Sequence, residues 1–240
     1  MSSQGVWAWI QDAFQAWQRC ILRPVRTLDV MLATPDDETR LSEVTKIWVP
    51  ALLISLMLNF VVLSWFGSAG ENVAFCLSNW LVQVLILVAF VSIAHRMLIA
   101  FKLKSNFSRT LAMYTTTIIA YLPVLALISL PNAIRLYDAV RKIREENLPI
   151  ANAAAELIHN LMQGASASEG LFLAMTTLLL QVFSIGCDAI FAESVSQWYG
   201  NNRFESYSAL GVALILSTVL AMVIVLPIQF FAIYSFMKVG

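Results

Sequence analysis

Long runs of apolar residues alternate with short polar connections along most of the chain. A helix needs about 20 mostly apolar residues to cross a hydrocarbon core of about 30 Å. Five runs qualify, and they cover residues 47–66, 77–98, 111–131, 171–191 and 209–237. The runs are continuous, whereas the strands of a membrane barrel alternate with a period of two. The pattern therefore predicts an all-α polytopic integral membrane protein, with five transmembrane helices forming a domain over residues 47–237.

The segment before the first run, residues 1–46, has an amphipathic pattern. Its apolar side chains recur every three or four residues and share one face of a helix over residues 5–22; they are Trp7, Ile10, Phe14, Trp17 and Ile21. Trp is enriched where hydrocarbon meets water, so we predict a helix that lies in the membrane interface. The alternative is that this face packs on the protein's own bundle, and the two arrangements are compatible.

Two further boundaries follow from helix-breaking and helix-capping residues. Pro24 is predicted to end the first helix. The next helix is predicted to begin at Thr34, because Thr is a good N-cap and Pro35 suits a first helical turn. It would run towards Lys46 and continue into the first span. Residues 132–170 are predicted to be the longest connection between spans, with a short helix near their start.

Composition agrees with a membrane environment. Hydrophobic residues make up 59% of the chain and charged residues 12%, whereas soluble domains carry about 25% charged residues. These values exclude a soluble enzyme domain. Fifteen Lys and Arg residues balance fifteen Asp and Glu residues, so the net charge predicts no nucleic-acid partner.

The distribution of basic residues predicts the orientation. Lys and Arg near the ends of spans favour the cytoplasmic side. With the amino end inside, ten of the fifteen Lys and Arg residues fall on the cytoplasmic side and five on the far side. We therefore predict a cytoplasmic amino end and a carboxyl end on the far side. The bases that follow the third run, from Arg135 to Arg144, oppose this count. The alternative is a re-entrant third run, which contains Pro123 and Pro131.

Three ionisable residues lie at membrane depth, where such residues mark candidate sites. Asp188, His95 and Arg96 share a predicted depth, about 10 Å from the bilayer centre towards the cytoplasm. A carboxylate and a guanidinium at one level offset each other's desolvation, so we predict that Asp188 pairs with Arg96, with His95 nearby. The pair would fix the register of two helices or serve as a proton or ion relay. Arg96 extending to the headgroups is the alternative.

Amide side chains occur once in each of four spans, and they are Asn59, Gln83, Gln181 and Gln229. Hydrogen bonds between helices explain such residues, and a solute path lined by amides is the alternative. The sequence has no glycine-rich phosphate loop, no paired cysteine motif and no His-Glu-x-x-His motif. His95 and His159 fall on opposite sides of the membrane. We therefore predict a protein that is not an enzyme and holds no metal or cofactor.

Three short segments resemble elements of a known family. They are Ile21–Asp29 before the first span, Lys104–Leu111 between spans two and three, and Tyr121–Pro123 in span three. Together with the order of the spans, they resemble the YIP-one domain family, membrane proteins named for interacting with Rab-type GTPases in eukaryotes and also found in bacteria. The resemblance covers roughly residues 20–237. It implies a five-span fold with a cytoplasmic amino end and a non-catalytic role in organising or shaping membrane.

Two functions are compatible with these features. The first is a non-enzymatic scaffold of a bacterial inner membrane that engages anionic lipid headgroups through Arg19, Arg23 and Arg26, or recruits a protein partner or a second copy. The second is a small-solute transporter or channel, alone or in a membrane complex, with Asp188, Arg96 and the span amides lining a path. A water-accessible cavity at the mid-span amides would favour transport, and tight packing there would favour a scaffold.

Overall fold

The protein is all-α in the part of the chain that its computed structural model describes, residues 3–65, 69–145, 167–225 and 227. Five helical segments are long and apolar enough to cross a membrane, as predicted, and they are Asp37–Val62, Phe75–Ala100, Phe107–Ile143, Gly170–Tyr199 and Arg203–Ile224. Gln229 and most of the predicted end of the fifth span lie outside the described residues.

Two helices precede the first span. Helix α1 (Ser3–Leu22) and helix α2 (Pro24–Ala33) are separated by Arg23 alone. Pro24 ends the first helix as predicted, but it also begins a second helix that was not predicted. Proline has no N–H to lose in a first turn, and its fixed φ is already helical. The same residue therefore stops one helix and starts another in a new direction.

Helix α3 (Asp37–Leu63) contains the first span. The predicted helix start at Thr34 is wrong, since Thr34 is the C-cap of α2. Asp36 is the N-cap of α3, and its carboxylate accepts hydrogen bonds from the main-chain N–H groups of Glu38 and Thr39. The Thr39 hydroxyl also donates to this carboxylate at 2.7 Å, and that bond, together with the two main-chain bonds, holds the pKa of Asp36 below its usual range. The helix runs through residue 46, so no structural break separates the amino-terminal segment from the first span.

The third span is broken, unlike the single helix predicted over residues 111–131. Helix α4 (Ala69–Ala100) is followed by helix α5 (Phe107–Thr117), a 3₁₀ turn over Ile119–Tyr121, and helix α6 (Leu122–Glu145). Pro123 cannot donate a hydrogen bond to the Ile119 carbonyl. The Leu122 N–H donates to it instead, which tightens the chain into the 3₁₀ turn. The beginning of the predicted connection 132–170 is thus the continuation of α6.

The last two spans are longer towards one end than predicted. Helix α7 (Ala167–Tyr199) and helix α8 (Arg203–Leu220) meet at Gly200, which adopts a φ of 62°. That left-handed conformation is the one glycine adopts without strain. Asn202 caps α8 by accepting a hydrogen bond from the Phe204 N–H, and a π-helical turn, Ala221–Val225, continues it.

The spans alternate in direction, so α3, α5 and α8 begin at the same end of the bundle at which α4 and α7 end. We call this the polar end. Main-chain groups of Lys104 pair there with the side chain of Asn201, at 3.1 and 3.0 Å. Farther along the helices, the rings of Phe90, Tyr114 and Phe191 pack together, with centroids 5.3 to 6.2 Å apart. The three rings are buried, and hydrogen bonds between helices also occur away from the polar end, as from Trp80 Nε1 to the Leu52 carbonyl at 3.1 Å.

Candidate functional site

A fully buried arginine organises the first half of the polar end. The Arg40 side chain lies at the start of α3 and has no exposed surface. Its Nε donates to the Met31 carbonyl at 3.0 Å, and its guanidinium also donates to the Thr34 carbonyl and the Asp37 carboxylate. A further bond of 2.6 Å reaches Ser108 Oγ on α5. Arg40 therefore caps the end of α2 and joins it to α3 and α5.

Tyr199 organises the second half. Its hydroxyl donates to the Asn106 carbonyl at 2.9 Å and accepts from the Asn106 N–H at 3.0 Å. It also lies 3.0 Å from the Thr110 hydroxyl. Asn106 caps α5 and accepts from Ser108 Oγ at 2.9 Å. The hydrogen bonds therefore run without a gap from Arg40 to the end of α7.

His95 extends the network to α4. Its Nδ1 lies 2.8 Å from Ser105 Oγ, which in turn lies 3.2 Å from Thr110 Oγ1. The ring of Phe107 packs edge-on against the imidazole. No carboxylate hydrogen-bonds to His95 within the described ranges, so the serine and the histidine lack the third group that orients a base in a catalytic triad. The arrangement ties helices together.

Arg40 and Tyr199 were not predicted as site residues. The spacing of Asp37 and Arg40 is that of an ordinary ion pair on an exposed helix, so it carried no sign of burial. The partners Ser108 and Asn106 come from a distant part of the chain. Only the packing of α2 and α5 over the start of α3 removes Arg40 from water.

The predicted pair between Asp188 and Arg96 is wrong. No ion pair joins these two residues in the described part of the chain, and Arg96 is exposed. Asp188 lines a small cavity of about 260 Å³ with Phe90, Tyr207 and Leu214. Phe90 and Arg96 are six positions apart, or roughly 9 Å along α4. The prediction measured depth from the midpoints of the predicted spans, which placed α4 and α7 in the wrong register. The predicted shared depth of Asp188, His95 and Arg96 is therefore also wrong.

The span amides do not converge. Asn59 is buried and its Nδ2 donates to the Ser55 carbonyl, one turn back on α3, at 2.8 Å. Gln83 is half-buried and Gln181 is exposed on the outer surface of α7. Gln229 lies outside the described residues. A hydrogen bond within one helix satisfies part of Asn59, so this residue does not join two helices as predicted.

Helix α1 docks on the bundle through small residues. Ala13, Ala16 and Cys20 are buried against it, and burial raises the pKa of the Cys20 thiol to about 12. The buried stripe is turned about a quarter of a turn from the predicted apolar face. Trp17 and Ile21, at one edge of that face, pack on the core. Trp7 and Phe14, at the other edge, are exposed, and Ile10 is half-buried.

Two polar contacts fix this docking. Trp17 Nε1 donates to the Ala120 carbonyl at 2.9 Å, within the 3₁₀ turn of span three. Lys46 Nζ lies 2.7 Å from the Asp12 carboxylate, and this hydrogen bond holds the pKa of Asp12 below its usual range. Helix α1 therefore lies at the level of Lys46, where the sequence predicts that the first span enters the bilayer. Both readings of α1 are compatible with this position, since one edge is docked and the other is exposed.

Three arginines meet in one cavity. Arg19, Arg23 and Arg26 line a space of about 570 Å³ between α1, α2 and α3. The buried side chains of Ala16, Met31 and Ile47 also line it. These arginines are the ones predicted to face lipid headgroups, and the structure adds that they share a cavity with an apolar floor. We call it the arginine pocket.

A second large cavity lies at the break of span three. It measures about 590 Å³ and lies between α2, the Thr116–Tyr121 region and α7, with mostly apolar walls that include Val25, Val182 and Ile190. Comparison of the chain with protein-family models, with curated proteins and with solved structures gives no match.

Proposed function

We propose that this protein is a non-enzymatic membrane scaffold that organises the leaflet on the side of its polar end. Helix α1 would lie in that leaflet as a wedge, and the arginines beside it would attract anionic headgroups. The resemblance to YIP-one proteins supports such a role, with the polar end in the cytoplasm of a bacterial cell. Recruitment of a protein partner to the same surface belongs to this proposal.

The observation that carries the proposal is the position of α1. It is fixed to the bundle by Trp17 and Lys46, yet it keeps Trp7 and Phe14 exposed at one end of the molecule. Aromatic side chains favour the boundary between hydrocarbon and water. An interfacial helix anchored to a transmembrane bundle displaces lipid in one leaflet only, which favours curvature.

The three cavities described above give no support to a solute path along the span amides. The arginine pocket, the cavity at the break of span three and the cavity beside Asp188 are lined by none of Asn59, Gln83 and Gln181. The amides that would line a solute path lie buried within α3, half-buried on α4 or exposed on α7. A scaffold requires no such path.

The test is curvature sorting of the full-length protein. We would label it at Glu145→Cys, reconstitute it in giant vesicles with anionic lipid, and pull narrow membrane tubes. Molecules with α1 in the outer leaflet should be severalfold denser on the tubes than on the vesicle. The variant Trp7→Ser/Phe14→Ser should lose this enrichment.

The matched control is Trp65→Ser/Phe204→Ser, which removes an exposed tryptophan and an exposed phenylalanine from other helices. It should sort like the unmodified protein. Equal densities of the unmodified protein on tube and vesicle would contradict the proposal, as would equal losses in both double variants.

A further inference from the structure

The arginine pocket has an excess of positive charge. Its one acidic lining residue is Glu43, whose carboxylate already accepts a hydrogen bond of 2.7 Å from Lys46. Three arginines therefore share the lining with one carboxylate that is already paired. The charge of the pocket favours an anion.

The guanidinium groups have free donors. Arg19 donates to the Gln15 carbonyl at 3.3 Å and lies 3.9 Å from Asp12, but its side chain remains 65% exposed. Arg23 and Arg26 have no hydrogen-bond acceptor or ion-pair partner among the residues that the structure describes. Arginine binds phosphate through two parallel hydrogen bonds, so Arg23 and Arg26, with the remaining donors of Arg19, are suited to a phosphate group.

The rest of the lining is apolar. Met31 and Ile47 form a buried floor, while Leu22 and Val30 are 69% and 62% exposed at the rim. A soluble phosphate would make no favourable contact with the apolar floor and rim. An amphiphile would place its phosphate among the arginines and its glycerol and first methylene groups against the apolar wall. A volume of about 570 Å³ suits a headgroup, with the acyl chains continuing outside.

The level of the pocket agrees with that ligand. Asp12 of α1 contacts Lys46, and Glu43 and Ile47 of the pocket flank Lys46 on α3. The pocket therefore lies at the level of Lys46, where the sequence predicts that the first span enters the bilayer. Anionic headgroups are already present there, so binding needs no transfer of the lipid out of its leaflet.

We propose that the arginine pocket is a binding site for the headgroup of one anionic glycerophospholipid. This inference rests on the proposed function, because it names the ligand through which the scaffold holds its leaflet. It is specific to one place on the protein, unlike general attraction between basic residues and an anionic surface.

The test counts lipids retained by the full-length protein in detergent. Delipidated protein is titrated with phosphatidylglycerol or with phosphatidylcholine of the same acyl chains, and native mass spectrometry gives the bound number. One phosphatidylglycerol should bind about tenfold more tightly than phosphatidylcholine. Both lipids carry the phosphate, but phosphatidylcholine also carries a quaternary ammonium, which the positive charge of the three arginines disfavours. The variant Arg19→Gln/Arg23→Gln/Arg26→Gln should lose this preference.

Two controls separate the pocket from net charge and from folding. Lys102→Gln/Lys104→Gln/Arg109→Gln removes three exposed cations elsewhere at the polar end and should keep the preference. Thr27→Glu adds a carboxylate to the pocket and should lower lipid retention. Thr45→Glu is the control for Thr27→Glu, because Thr45 lies outside the lining of the pocket. The hydroxyl groups of Thr27 and Thr45 both donate to the carbonyl four residues earlier. Thr45→Glu should have no effect.

Equal retention of the two lipids, or equal losses in the two triple variants, would overturn the site. Displacement of the lipid by millimolar inorganic phosphate would overturn the choice of a lipid and assign the pocket to a soluble phosphate. The lipid-retention experiment contains no bilayer, so a negative result there is independent of the result of the curvature-sorting experiment. Specific retention without curvature sorting would contradict only the proposed function, and sorting without specific retention would contradict only the site.

Discussion

At the level of single residues, Arg40 holds the polar end together. A buried guanidinium is costly unless its donors are satisfied, and here they reach two main-chain carbonyls, a carboxylate and a hydroxyl. The carbonyls of Met31 and Thr34 are at the end of α2, where helices leave carbonyl groups without partners. One side chain thus replaces several missing hydrogen bonds.

Replacing Arg40 with Ala should destabilise the protein strongly. Each buried polar group left without a partner costs about 1–3 kcal/mol, and the Met31 carbonyl and the Ser108 hydroxyl stay buried, whereas the Asp37 side chain is 60% exposed and returns to water. Arg40→Lys should recover little, because an ammonium cannot reach these acceptors with the geometry of a guanidinium. The measurement is thermal unfolding in detergent. Arg109→Ala, at an exposed position of α5, is the control, and an equal loss in that variant would contradict the assignment.

Asp188 should behave independently of Arg96. Because no ion pair joins them, the effects of Asp188→Asn and Arg96→Gln on the free energy of unfolding should add. We expect a coupling energy below about 0.5 kcal/mol, as for residues without shared partners. A double-mutant cycle measured by unfolding in detergent decides this. A coupling well above that value would restore the pair that the sequence predicted.

At the level of elements, the apolar runs predicted the existence of the five spans but not their internal form. The break in span three lies at Pro123, and the hydrogen bond that the broken segment receives from Trp17 of α1 is a long-range contact that no local pattern contains. The docked stripe of α1 was missed because Ala13, Ala16 and Cys20 contribute little to an apolar periodicity. Small side chains nevertheless allow the closest helix contact. In α1, large apolar residues identify the apolar face, whereas small residues identify the face that packs against the bundle.

Replacing Trp17 with Phe tests the contact between α1 and the broken span. The ring would be kept and the donor to the Ala120 carbonyl removed. An unsatisfied buried carbonyl costs about 1–3 kcal/mol, so the unfolding temperature in detergent should fall. Trp7→Phe, at an exposed position, should leave it unchanged. Similar temperatures for both variants would show that the hydrogen bond contributes no stability.

Acid should loosen the docking of α1. The pKa of Asp12 is lowered by its hydrogen bond to Lys46, so the contribution of this contact to stability is complete above the ordinary pKa. It is lost as the pH falls through the lowered pKa, which lies below about pH 4. The distribution of distances between spin labels attached at Gln18→Cys and Lys104→Cys should broaden in that pH range.

The variant Asp12→Asn isolates this effect from the protonation of other carboxylates. It should show the broad label distribution already at neutral pH and change less on acidification. An identical response to acid with and without Asp12 would assign the loosening to another group.

At the level of the whole molecule, five crossings would place the start of the first span and the end of the fifth span on opposite faces of the membrane. The polar end holds the first turns of α3, α5 and α8, while α6 ends at the other face with Glu145. The distribution of basic residues predicts the polar end in the cytoplasm. The number of crossings predicts which segments share a face of the membrane, and the distribution of basic residues predicts which face is cytoplasmic.

Labelling from one side should separate the two faces. Cysteines introduced at Lys104 and Glu145, in a background without the native cysteines, would be exposed to an impermeant maleimide in intact cells and in inverted vesicles. Lys104→Cys should react only in inverted vesicles and Glu145→Cys only in intact cells. Arg203→Cys is the control, since it should follow Lys104→Cys. Reaction of both faces from one side would refute the five-crossing arrangement.

The hydrogen-bond network of the polar end also imposes an order on biosynthesis. The chain is made from its amino end, so Arg40 and Asn106 leave the ribosome long before Tyr199 arrives. A nascent chain that has completed only α6 carries Asn106 and Thr110 without their partner from α7. This part of the hydrogen-bond network can therefore form only after the fourth span has been made. A chain truncated before that point would present an incomplete surface for membrane quality control to recognise.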